Sequence, residues 1–174
     1  MSFATRLTLI AALAALALPA RAAELPTLLG TSGDWTAYQA DTEGGKVCYV
    51  LSTPTAVLPK KASRDPIFFI ISTWPKRNVT DELEVVPGYQ YKEGQPATAR
   101  VGAQTIEFFT QNDGKAGAAW VKDQANETAL VNAMRGGSTL TVSGVSKRGT
   151  KTTDTYSLNG ITSALDAAHK GCAK

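Results

Sequence analysis

One histidine and two cysteines in 174 residues leave little from which to build metal or redox chemistry. A closed zinc site takes four Cys or His ligands and an iron–sulfur cluster four thiolates, so His169, Cys48 and Cys172 fall short of either. No Cys-x-x-Cys favours thiol exchange. The nucleophile signatures are missing as well. Gly144 and Gly149 flank Ser146 at the wrong spacing for Gly-x-Ser-x-Gly, and no serine opens a Ser-x-x-Lys. His169 falls where a helix ends, a place that suits a cation electrostatically. Glu82 and Glu84 share one strand face as a glycosidase pair does, but beside Asp81, and with Glu43 the only other candidate, they read as a solvated outer face. No catalytic set, metal or cofactor is expected. Charge of one sign is also scarce: 18 basic against 15 acidic residues, a net +3. Two of those cations, Arg6 and Arg21, stand before residue 23, and without them the balance is +1. That gives no electrostatic reason to expect a nucleic-acid partner.

There is a single long hydrophobic run, and it is at the N-terminus. Arg6 precedes Leu7 to Leu18, Pro19 follows, and Ala20-Arg21-Ala22 has the small-x-small pattern of a cleavage site. The run is too short for a membrane span, so residues 1–22 are expected to be a Sec-type signal peptide cut before Ala23. Residues 23–174 then form one domain of 152 residues with no transmembrane segment. The expected address is periplasmic or secreted. In such a compartment Cys48 and Cys172 are expected to pair. The bond closes a loop of 124 residues, worth at most about 4–5 kcal/mol by chain entropy.

What the chain does have is short strands. Asp34 to Gln39 carries Trp35 and Tyr38. Lys46 to Ser52 is apolar on both faces, with Val47, Tyr49 and Leu51 on one and Cys48 and Val50 on the other. Ile67 to Trp74 is the most hydrophobic segment after the leader, and Pro66 and Pro75 bound it as a central strand. Glu82 to Val86, Ala97 to Val101, Gln104 to Thr110 and Ala118 to Val121 follow. Asp123 to Arg135 predicts a helix, and Gly136-Gly137 stops it. Leu140 to Ser143 and Thr152 to Leu158 predict a hairpin, its tip at Lys147-Arg148-Gly149-Thr150. A second, C-terminal helix runs from Asn159 to Lys170, with Ile161, Ala164, Leu165 and Ala168 on one face and Asn159 as cap. Consecutive hairpin-like strands predict a mainly β fold: an antiparallel β-sandwich of about nine short strands with two helices.

Along the hairpin, Asp154 shares a face with Thr152, Tyr156 and Leu158, which sets a carboxylate at the edge of the core. A carboxylate there needs a partner. Arg148 or a hairpin amide is the expected one, making Arg148, Asp154 and Tyr156 a structural lock. The cations gather in loops, and Lys60, Lys61, Lys147 and Arg148 form a candidate patch for an anionic envelope polymer or lipid head group.

Ser146-Lys-Arg-Gly-Thr-Lys-Thr-Thr-Asp-Thr-Tyr-Ser-Leu-Asn-Gly160 resembles the signature of the invasion-associated locus B family. Four further segments fit in order: Trp35; Cys48-Tyr49; Gly88-Tyr89-x-Tyr91-x-Glu93-Gly94; and Ala119-Trp120 before Asn132-Ala133-Met134-Arg135-Gly136-Gly137. Longer members place extra cysteines where this chain has Phe108-Phe109 and Ala118-Ala119, so the resemblance is to a short, cysteine-poor branch. It implies an exported β-sandwich of the Gram-negative envelope, linked through its founding members to host cells, with no catalytic residues to carry over. The expected role is a non-enzymatic protein that binds or stabilises envelope or host-surface components. A small-ligand module for sugar or lipid, and a hydrolase with an unrecognised site, are the alternatives.

Overall fold

The computed structural model describes residues 25–60 and 62–173; the expected leader at 1–22 and Lys61 lie outside them. Among the described residues eleven strands run in chain order: β1 (Thr27–Ser32), β2 (Trp35–Thr42), β3 (Gly45–Ser52), β4 (Ala56–Leu58), β5 (Phe68–Trp74), β6 (Val79–Val86), β7 (Ala97–Val101), β8 (Gln104–Asp113), β9 (Ala116–Trp120), β10 (Thr139–Val145) and β11 (Lys151–Ser157). Helix α1 (Gln124–Gly136) lies between β9 and β10, and α2 (Ile161–Cys172) follows β11. Every pairing is antiparallel, in the order β1-β2-β3-β5-β6-β9-β8-β7-β10-β11-β4.

This single sheet folds into two layers because β8 belongs to both. Its first half pairs with β7, from Val101↔Gln104 to Ala97↔Phe108. Its second half pairs with β9, from Phe109↔Trp120 to Asp113↔Ala116. The layers meet around Phe69, whose ring stands edge-on to Trp35, Phe108 and Tyr156 at centroid distances of 6.3, 6.3 and 5.8 Å. Burying rings of this size is the main source of stability in such a core. The Trp35 indole N–H donates to the Ser157 carbonyl at 2.9 Å and so ties the layers with a polar bond.

The two strands beyond the expected nine are β1 and β4. Strand β1 carries an irregularity between Leu28 and Gly30, where its register with β2 shifts past Leu29, so it shows no clean alternation. Strand β4 is three residues inside a proline-rich stretch, and only its pairing with β11 makes it a strand.

Both helices close the core. Asp123 caps α1 by accepting from the Asn126 amide. The cap of α2 is Gly160 rather than Asn159. Gly160 sits at φ 89, and a Cβ there would run into the Ser32 carbonyl. Helix α2 continues through Gly171, which lies against Leu29 and Cys48, to reach the Cys48–Cys172 disulfide with its Cα atoms 5.7 Å apart. Close by, His169 Nε2 and Asp81 Oδ1 are 2.7 Å apart.

Candidate functional site

Asp154 points into the interior, as the period of two requires, and the cation that meets it is Arg64. The Arg64 Nη1 and Nη2 donate to the two carboxylate oxygens of Asp154, each at 2.6 Å. Nε and Nη2 also donate to the Pro87 carbonyl at 2.8 and 2.5 Å. The side chains are only 5% and 3% exposed. Burial opposes the Arg64 charge, yet the hydrogen bond and charge of Asp154 outweigh it and hold the guanidinium above its ordinary value. A planar fork matched to a carboxylate is what arginine does and lysine cannot. The expected partner, Arg148, is instead exposed at the hairpin tip. The reason is geometric. Arg148 projects from the turn, whereas the loop ahead of β5 carries Arg64 over the inward face of β11. Tyr156, also placed in the lock, is a core ring packed on Phe69, and its buried hydroxyl has no hydrogen-bond partner among the described residues.

The ion pair is the floor of a larger assembly. The Arg64 guanidinium lies over the Tyr89 ring at 4.9 Å, and the Tyr89 hydroxyl shares a 2.6 Å hydrogen bond with Thr152. Tyr91 packs edge-on to Tyr89 and is bridged to Ser146 at the hairpin tip. Lys92 and Lys147 amides donate to the Val145 and Gln90 carbonyls at 2.9 and 2.7 Å. The Asn112 side chain serves both the N–H and the C=O of Tyr91, at 2.7 and 2.9 Å, like one more strand residue. Gly88, at φ 70, passes so close beneath Asp65 that a Cβ would strike its carbonyl. Thus the Gly88–Gly94 loop, the hairpin tip and the loop ahead of β5 are fixed to one another by backbone bonds.

Between them lies a cleft of about 320 Å³ lined by Arg64, Asp65, Tyr89, Lys115, Lys147 and Arg148, among others. Arg64 is matched by Asp154, which leaves Lys115, Lys147 and Arg148 against Asp65. Of the residues expected to form a basic patch, Lys147 and Arg148 are here, Lys60 is not among the lining residues, and Lys61 is outside the described residues. Lys115, at the β8–β9 turn, was not anticipated, because it lies far in sequence from the other lysines.

Fold and site together define a disulfide-clamped antiparallel β-sandwich with a C-terminal helix stitched to an early strand. The chain belongs to the invasion associated locus B (IalB) family: the model of that family matches residues 35–169. It is similar to the crystal structure of invasion associated protein B from Bartonella henselae, with a TM-score of 0.61 over 87% of this chain and 100% of that one. At 17% identity the likeness carries the fold alone. No curated protein sequence gives a significant match. Among the described residues no helix is long and apolar enough to cross a membrane.

Proposed function

We propose that residues 1–22 direct export, that residues 23–174 act as one domain in the periplasm or outside the cell, and that this domain is a non-enzymatic binding protein. Its ligand is an anionic group on an envelope or host-surface component, held in the cleft. One observation carries the reading: Lys115, Lys147 and Arg148 stand around a cleft whose own arginine is neutralised by a buried carboxylate. The cations at the rim are therefore the ones left to act outward, on a frame already fixed by hydrogen bonds. The disulfide suits an oxidising compartment. Invasion is in the name of the Bartonella protein, and a surface-binding role is the part of that name this cleft supports. The volume suits a head-group-sized anion on a larger partner.

Affinity capture from envelope extract tests this with wild type, a Lys115→Glu/Lys147→Glu/Arg148→Glu variant, and Lys60→Glu as control. Wild type and the control should retain the same component, and the triple variant should lose it, with wild-type retention falling as salt is raised. Equal retention by all three removes the cleft from the reading.

A further inference from the structure

Strands apolar on both faces belong in sheets that are covered on both faces. Here β3 and β5 are of that kind, yet the helices and the second layer cover only the face that carries Cys48, Val50, Phe69 and Ile71. On the opposite face the register sets Thr36, Leu51, Ile70, Glu84, Trp120 and Phe109 side by side across six strands, all partly exposed. A neighbouring row carries Leu28, Tyr38 and Tyr49, and Leu28 is 59% exposed. The turn at Pro75–Arg77 folds over one corner, where Arg77 lies over Trp74 and pairs with Glu82, and Val47 and Ser72 of this face are buried. Exposed apolar patches of this kind mark interaction surfaces.

We propose that this outer face docks a polypeptide segment of another protein that presents one lysine or arginine between apolar side chains. Glu84 dictates the cation. It sits in the middle of the apolar row between Ile70 and Trp120, and no cation among the described residues pairs with it. Burial, and secondarily Glu82, raises its carboxyl above the ordinary value, so its water is partly stripped before any partner arrives. A carboxylate desolvated in this way gains most from an incoming cation.

Size and charge select among occupants. Six strands span five spacings of about 4.8 Å, and about 17 Å along them gives about 400 Å², half the roughly 800 Å² that each partner of a stable dimer contributes. A two-fold contact centred on this row would also bring Glu84, at its middle, close to its own copy. An anionic membrane is repelled by Glu82 and Glu84. The rings stand in pairs, Tyr38 on Tyr49 at 5.4 Å and Phe109 by Trp120 at 5.7 Å, so one face of each is already taken by its neighbour and less is left for a sugar.

The test is selection of a random dodecapeptide library on the immobilised, disulfide-intact protein, followed by titration of the recovered peptides. The expected peptides carry Lys or Arg flanked by aliphatic or aromatic residues. Their affinity should fall at least about tenfold in Ile70→Lys, and in Leu51→Thr as the gentler change that preserves strand propensity. It should weaken in Glu84→Gln and be unchanged in Lys147→Glu, which alters the cleft instead. Peptides without a basic residue, or binding indifferent to Leu51→Thr and Glu84→Gln, would overturn the proposal. So would self-association in sedimentation that Leu51→Thr abolishes, because it makes a second copy the occupant.

Discussion

Asp154 and Glu84 are both strand carboxylates flanked by aromatic or aliphatic neighbours, and the molecule treats them in opposite ways. Asp154 lies inside, and a guanidinium brought from 90 residues away meets both of its oxygens. Glu84 lies on the outer face, half-buried by Ile70 and Trp120, and no cation among the described residues pairs with it. The first shows what this fold does with a carboxylate that serves its own structure. The second shows a charge left unmatched where matching it would have stabilised the chain, and an unmatched group on an apolar face is a mark of an interface. Position on a strand does not separate the two; the presence of a partner does.

The contrast predicts effects of graded size. Arg64→Ala or Asp154→Ala strands the other charge in the interior, which costs about 3–5 kcal/mol, a melting temperature lower by on the order of 10 °C. Arg148→Ala should change stability by less than about 0.5 kcal/mol. A melt equally sensitive to Arg148 would return the lock to the hairpin tip. Reducing the Cys48–Cys172 bond should cost about 2–4 kcal/mol and expose α2 to hydrogen exchange before the hairpin. Loss of protection in the reverse order would break the assignment of α2 to the bridge.

Glu127 sharpens the comparison from a third side. It is buried on α1 and accepts the Leu83 amide at 3.2 Å, continuing the β6 ladder where β9 has ended at Trp120. Glu127→Ala orphans that amide at a cost of about 1–3 kcal/mol, while Glu127→Gln keeps an acceptor and should recover most of it in thermal melts. A smaller effect than these is at Glu84. Its folded pKa is raised above 4.5, so its neutral form is the better tolerated one. Its contribution to stability is full below about pH 4.5 and is lost as pH rises through the folded value. Glu84→Gln should therefore raise the melting temperature at pH 7 by about 1–3 °C and remove that part of the pH dependence. A lower melt at pH 7 would show that the charge is welcome where it stands.

How much of this could be read in the chain depended on range. Alternation in β7, β8, β10 and β11 is a local signal, and it placed Asp154, Tyr156 and Leu158 inward. The apolar period of α2 did the same for Ile161, Leu165 and Ala168. The two missed strands lacked such a signal: the register of β1 shifts at Leu29, and β4 exists only because β11 offers it an edge. Gly160 displaced Asn159 as the cap because Ser32 closes over that position, a contact from the other end of the chain. The need for a cation at Asp154 was legible from burial alone. Its identity was not, because Arg148 is near in sequence and Arg64 near in space. Half of the cleft was legible for the same reason, with Lys147 and Arg148 marked by the hairpin and Lys115 invisible until two turns met.

The most direct measurement is a double-mutant cycle on Arg64→Ala and Asp154→Ala, read as unfolding free energy in denaturant. If the pair is the floor on which the cleft is built, each single change is severe and the double costs little more than either, giving a coupling nearly as large as one single loss, about 3 kcal/mol or more. Additive losses would mean that the two side chains stabilise the protein independently, and the account of the cleft would fail with them.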